Sequence, residues 1–382
     1  MRRGSRNLTT HPEVDSDLNV LDEDNIEDVD ERQEVIPKLE PLSYFGTDFD
    51  VHGLVRRLNQ RHIVVPNFDP EPTSELDLSG FQRNFVWKKP QMDRFLESLL
   101  LGFPVPGIFL VKQANKQLLV LDGQQRLRSL QRFYAGRIGR DTFKLEGVDR
   151  ALKGLTYDSL GDEQRRLLDD TFIHATIVKY NPKLGGDESV YSLFERLNTG
   201  GTNLYPQEIR VALYHGKLVD LLRELNGHPR WREIFGPESN RLKDQEIILR
   251  FLAFWMESDS YKRPLKTFLN EFLANHRDLE GLDRDELSRV FTGTCDLIAE
   301  SLGRPALRPE LQINAAFADA VLHGVAHRFA AGPVTDLRGL QKARTALLKD
   351  ANFESAIARA TADADRVDTR LSTARRKFGA IK

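Results

Sequence analysis

The sequence predicts an α+β protein, a small mixed β-sheet domain with helices followed by an all-helical domain. Up to about residue 180, short β-branched runs alternate with stretches of helical spacing, whereas from Glu188 onward nearly every apolar residue recurs at the helical period. Within the first regime, the run Leu118-Leu119-Val120-Leu121 stops abruptly at Asp122-Gly123, and Leu127, Leu130, Gln131 and Tyr134 then follow at helical spacing. That is a strand, a tight turn and a helix. A chain of 382 residues, 40% of them hydrophobic, is long enough to bury two cores.

Residues 1–40 carry a dozen acidic side chains and no sustained periodicity, the composition of a chain too polar to collapse. They are expected to form a disordered acidic tail, serving either as a solubilising segment or as a DNA-mimicking or partner-binding arm. Met1-Arg2-Arg3 leads into polar sequence, so no secretory signal is expected, and no run approaches the roughly 20 apolar residues of a membrane span.

Ordered sequence is expected from about Tyr44. Val51, Leu54, Val55 and Leu58 predict a helix over Asp50 to Asn59, and Ile63-Val64-Val65 a short strand ended by Pro66. Asp69 to Gly80 reads as a loop. Pro90 suits a first helical turn, and Met92, Phe95, Leu96, Leu99 and Leu100 continue an amphipathic helix that Gly102 stops. Pro106 to Lys112 and Gln117 to Leu121 form a strand pair around the polar turn Gln113 to Lys116, and Phe172 to Tyr180 is a further strand. Helices are expected over Val190 to Leu197, Pro206 to His215, Leu218 to Leu225, Asp244 to Met256, Leu265 to His276, Asp283 to Leu302, Leu311 to Phe329 and Leu337 to Phe378. The change of pattern places a domain boundary near Pro182 to Asp187, giving domains at 41–185 and 186–382.

The formal charge of -2 supplies no global basic field, so any DNA contact must come from a local patch. Arg366, Arg370, Arg375, Arg376 and Lys377 on the last helix form one such feature, to be read either as a phosphate contact or as a solvated helix end. The single cysteine, Cys295, excludes an internal disulfide and a multi-cysteine zinc site, which points to a reducing cytoplasm. His323 and His327 stand four apart without an intervening carboxylate, which fails the metalloprotease pattern. No Gly-x4-Gly-Lys-Ser/Thr loop is present.

The turn at Asp122-Gly123 has the chemistry of an anion site. The first amides of a helix lack partners and the helix dipole is positive there, glycine admits positive φ, and Arg126 one turn on offers a planar fork of donors. Asp122 could orient that arginine, or hold a metal or a ribose hydroxyl. An ordinary capped turn with a surface arginine would show the same residues.

Four blocks in order resemble the N-terminal domain family of GmrSD-type restriction enzymes. They are Phe81-Gln82-Arg83-Asn84-Phe85-Val86-Trp87, Glu97 to Pro106, Leu121-Asp122-Gly123-Gln124-Gln125-Arg126-Leu127, and Phe194-Glu195-Arg196-Leu197-Asn198-Thr199-Gly200-Gly201-Thr202-Asn203-Leu204 with Gln207-Glu208-Ile209-Arg210 after it. The resemblance implies a ParB/sulfiredoxin-like core in a stand-alone member. It makes Asp122, Gln124, Gln125 and Arg126 the expected catalytic residues, with Gly123 and Arg126 on a phosphate and Gln124 and Gln125 on a phosphate or an attacking water. Sulfiredoxin chemistry is not implied, because Gln124 stands where its cysteine would. Gln82 and Arg83 fall in the ligand pocket or sense DNA modification; packing of Arg83 on Trp87 or Phe85 is the alternative. Asn198, Gly200 and Gly201 form an anion loop or a helix cap, and Glu208 and Arg210 form salt bridges or close the pocket.

The resemblance further implies a nucleoside triphosphate as ligand, with Mg²⁺, and foreign or modified DNA as partner. No copy of the family's HNH nuclease is visible here. The leading expectation is therefore a nucleotide-hydrolysing DNA-defence protein working with a separate nuclease or effector. The alternatives are a metal-dependent endonuclease using Asp122 with Glu208 or Glu97, and a non-catalytic interaction protein with a degenerate pocket.

Overall fold

Alternation of apolar side chains along three strands builds the centre of the molecule. The computed structural model describes residues 39–66, 87–113, 115–179, 186–197 and 205–382. β3 (Ile108–Lys112) runs antiparallel to β4 (Leu118–Asp122) and parallel to β7 (Phe172–Lys179). β1 (Ser43–Asp50) pairs antiparallel with β7 at one edge and β2 (Ile63–Val64) pairs parallel with β4 at the other, giving the mixed order β1-β7-β3-β4-β2. Because side chains alternate along a strand, Ile108, Leu110, Val120, Ala175 and Ile177 enter one core, while Val111, Leu119, Leu121 and Val178 enter another on the opposite face.

The first core is closed by α1 (Val51–Asn59), α2 (Lys89–Leu100), α3 (Gln124–Tyr134) and α4 (Asp162–Asp169). Asp50 caps α1 by accepting from the Gly53 amide. Pro90 opens α2, as its fixed φ allows. A small hairpin, β5 (Arg137–Ile138) with β6 (Asp141–Thr142), follows α3.

On the opposite face, α5 (Gly186–Leu197) sets Val190, Tyr191 and Phe194 against the sheet. From there every described element is helical: α6 (Pro206–Leu213), α7 (Lys217–Asn226), α8 (Pro229–Phe235), α9 (Lys243–Glu257), α10 (Leu265–Asn275), α11 (Arg284–Ser301), α12 (Ala315–Ala330), α13 (Leu337–Leu348), α14 (Ala351–Ala358) and α15 (Ala364–Gly379). Buried on nearly every side, α12 is the central helix of this part. A Cβ on Gly324 would lie 2.7 Å from Phe378 Cδ2 and 2.9 Å from the Ala374 carbonyl carbon, so glycine is what lets α15 approach. Among the described residues, no helix is long and apolar enough to cross a membrane.

The helical part also buries charge. Arg250 donates to Asp319 through Nε at 2.9 Å and NH2 at 2.8 Å, and Arg370 NH2 reaches Asp319 Oδ2 at 2.9 Å. Arg370 NH1 is spent on the Thr361 carbonyl. Two guanidiniums thus share one fully buried carboxylate.

Several elements differ from the sequence expectation. β1, read only as ordered chain, is a strand; its outward side chains at the sheet edge, Tyr44 and Phe45 among them, remove the alternation that would have revealed it. α4, α8 and the hairpin were not foreseen, being too short for a readable period. The helix expected from Leu311 begins at Ala315, where Asn314 caps it through the Phe317 amide at 2.8 Å and Leu311 is exposed. The stretch Leu337 to Phe378 is three helices, restarted by Asp350, which caps α14, and at Asp363 before α15. The acidic segment 1–38 lies outside the described residues.

Removing the shared anion leaves two buried cations facing each other, so Asp319→Asn is expected to lower unfolding free energy by about 3–5 kcal/mol, measured by urea denaturation. His323 is buried on α12 with Nδ1 lacking a hydrogen-bond partner, and desolvation together with His327 and Arg375 pushes its pKa down to about 3. The unfolded chain takes up that proton near pH ~6.5, so the contribution of neutral His323 is complete above this value and is lost progressively as pH falls towards the folded pKa. His323→Leu should flatten the pH dependence of unfolding free energy in that window, and an unaltered slope would exclude the assignment.

Candidate functional site

The site begins where β4 leaves the sheet. Leu119 and Leu121 are held in one core and Val120 in the other, which fixes the direction in which the chain emerges. Asp122 ends the strand, Gly123 turns the backbone with φ 94° and ψ 10°, and α3 starts at Gln124 with no side-chain cap. Both conformation and space require glycine here, because a Cβ would stand 2.5 Å from Ile108 Cγ2 and 3.3 Å from Arg126 NH2. The amide end of α3 therefore has no side-chain cap of its own, a geometry favourable to anions.

Arg126 lies across this turn. Its NH2 donates to Asp122 Oδ2 at 2.7 Å and its NH1 to the Pro106 carbonyl at 3.0 Å. The arginine side chain is 11% exposed and the aspartate 42%, so the pair presents mainly its carboxylate edge outward. Asp122 thus contacts Arg126, as one of the arrangements expected of it requires. Gln125 Oε1 accepts from the Trp87 amide at 3.2 Å and ties the entry of α2 to the first turn of α3, with Gln124 half-buried beside it. Sequence reasoning missed the two groups that hold the turn from behind, Ile108 and the Pro106 carbonyl. Neither is polar at its side chain, and only their position at the entry to β3 hints at a role.

The other expected residues fall elsewhere. Gln82, Arg83, Asn198, Gly200 and Gly201 lie outside the described residues. Glu208 and Arg210 are both buried on α6, where Glu208 accepts from the Tyr205 amide at 2.6 Å and stands 3.6 Å from Arg241. Arg210 donates from Nε to Asn270 Oδ1 at 3.0 Å and lies 3.6 Å from Glu246. Arg210 thus contacts α9 and α10, and Glu208 contacts Arg241 just ahead of α9. α6 reaches the strand-to-helix turn through α5, which packs on β4.

Glu97, weighed as a metal ligand, accepts from the Asp149 amide at 2.6 Å. Among the described residues, no group of three or more His, Cys, Asp or Glu side chains could hold a metal ion. The basic feature on α15 is divided: Arg370 is sealed in the core with Asp319, Arg366 donates to Ser355 and Lys377 faces Asp350. Of the five, Arg370 departs from the surface position that both a phosphate contact and a solvated helix end require. Cys295 is fully buried, which pushes its thiol pKa up and leaves it inert.

The fold and the turn together define an α+β protein with a glycine turn and an anchored arginine at the carboxyl end of a central strand. The family model for the GmrSD restriction endonuclease N-terminal domain matches residues 69–215, a span holding the whole of this turn, and the chain carries a domain of that family. The match covers less than half of the chain, and the matched domain is one found in a restriction endonuclease. No curated protein matches the chain.

Gly123→Ala must place a methyl group at positive φ and against Ile108. It is expected to destabilise the fold by about 1 kcal/mol or more from the backbone alone, with a further loss from the clash, measurable as a lowered denaturation midpoint at unchanged m-value. A neutral result would show that the turn relaxes freely.

Proposed function

We propose that the turn Asp122 to Arg126 binds the polyphosphate of a nucleoside triphosphate, and that its hydrolysis gates restriction of foreign or modified DNA in the cytoplasm. The observation that carries this reading is the uncapped amide end of α3, entered through Gly123, with Arg126 held against it. Donors aimed by a rigid frame stabilise phosphate charge without reorganising, and a guanidinium fixed by a carboxylate and a carbonyl meets that condition. A ParB/sulfiredoxin-like core is the architecture in which such a turn meets a nucleotide, and the mixed sheet with helices is compatible with it.

In this reading the first-turn amides and Arg126 take the phosphate oxygens. Gln124, at the first helical position, contacts a phosphate or the attacking water. Gln125 is a positioning residue, fixing α2 to the turn through Trp87. The donor set suits a phosphate better than a bare metal, and Mg²⁺ would arrive with the polyphosphate, near the exposed oxygen of Asp122. In this reading a separate effector, released by the nucleotide state, cuts the DNA.

A ligand that binds only the folded chain stabilises it by roughly 2.7 kcal/mol at a hundredfold excess over Kd. Nucleoside triphosphates with Mg²⁺ should therefore raise the melting temperature of the native protein. Arg126→Ala should melt lower without ligand, because it abandons Asp122, and should lose the ligand-induced increment; Arg126→Lys should recover part of that increment. Equal increments in all three proteins would remove Arg126 from the site.

A further inference from the structure

We infer that the paired outer face of α1 and α3 is a contact surface for the phosphate backbone of duplex DNA. This rests on the restriction-type reading above and assigns the DNA a place on the chain. From Val51 to Pro66 the sequence holds three arginines and two histidines with no Asp or Glu, and from Gly123 to Arg140 it holds five arginines, again with no acid. These are two acid-free segments in a chain whose net charge is -2.

Folding sets the two segments side by side. α1 packs on α3, β2 pairs in parallel with β4, and Gln131 Nε2 donates to Asn59 Oδ1 at 3.0 Å across the seam. A shallow groove lined by His52, Arg56, Asn59, Gln60 and Tyr134 runs along it. Arg56, Arg61, Arg137 and Arg140 are exposed, and among the described residues none of them is in a salt bridge. Arg128 is half-buried and bonded to Gln131. Burial, and to a lesser degree the adjacent Arg128, push the pKa of Arg132 down to about 10.

Two acids on the elements around the groove are already engaged, while Asp141 is exposed on the hairpin beside Arg140. Asp50 caps α1, and Asp169 accepts from the hydroxyls of Tyr134 and Tyr157. Helices of nine and eleven residues, at about 1.5 Å per residue, match the length over which duplex DNA offers several phosphates, one charge per roughly 1.7 Å. Guanidiniums with side-chain amides between them are the groups that position a protein on the phosphodiester backbone.

The test is equilibrium binding of a fluorescent DNA duplex over a range of salt concentrations. It compares the native chain with Arg56→Gln/Arg128→Gln, with Arg137→Gln/Arg140→Gln, and with Arg375→Gln/Arg376→Gln on α15 as control. Each double variant on the α1–α3 side should bind at least roughly tenfold more weakly at moderate salt, and its slope of log affinity against log salt should be shallower by about two. The α15 control should match the native chain. An unchanged slope in both α1–α3 variants, with native melting temperatures, overturns the assignment. So does a native chain that binds an RNA duplex more tightly than DNA, or that binds no duplex with or without nucleotide. The nucleotide-induced rise in melting temperature should persist in every variant, so failure of the DNA surface is separable from failure of the nucleotide site.

Discussion

Burial of one sheet on both faces is the constraint on which the rest of the structure depends. β3, β4 and β7 are short, yet their alternate residues serve two cores, with Leu110, Val120 and Ile177 on one side and Val111, Leu119, Leu121 and Val178 on the other. A one-residue slip in register would exchange the two sets and spoil both cores at once. The end of β4 is therefore among the most strictly determined points of the backbone, and the Asp122-Gly123 turn grows from that end.

Rigidity at that point serves the electrostatics of the turn. Arg126 is held between an Asp122 carboxylate and the Pro106 carbonyl, one group from each of the two chain segments flanking the paired strands β3 and β4. Gly123 lies against Ile108 from the same pair. A longer side chain at 123 would push the arginine away from its anchors as well as strain the turn. The polar pair and the glycine contact thus depend on one strand pairing.

Much of this was legible in the sequence where period and chemistry agreed. The break from Leu121 into Asp122-Gly123 and the helical spacing after it marked the turn, and the four separated blocks marked the family. β1 was not legible, since an edge strand with outward Tyr44 and Phe45 leaves no apolar alternation to detect. The fate of the basic residues near the C-terminus was not legible either. Arg370 and Arg376 look alike in sequence, yet one is sealed against Asp319, a partner 51 residues away in the chain. Only tertiary structure tells a core cation from a surface one. The same holds for Glu208 and Arg210, which answer to Arg241 and Glu246 on or beside α9 instead of to each other.

How a ligand at the turn could be felt by the helical part follows from the two-sided sheet. Leu121, the residue before Asp122, is packed in the core that α5 and the later helices build, and α5 lies directly on β4. A shift of the strand end on phosphate binding cannot be absorbed within the first core alone, because the alternate side chains of the same strand are locked in the second. Close-packed interiors pass on such displacements more readily than they damp them. On the other flank of the turn, α3 carries Arg128 and Arg132 away from Gly123 towards the seam with α1. One helix therefore joins the Gly123 turn at its first turn to the arginine-rich face along its length, and one strand joins that turn to the helical part. Movement at Gly123 has mechanical routes in both directions without a hinge between them.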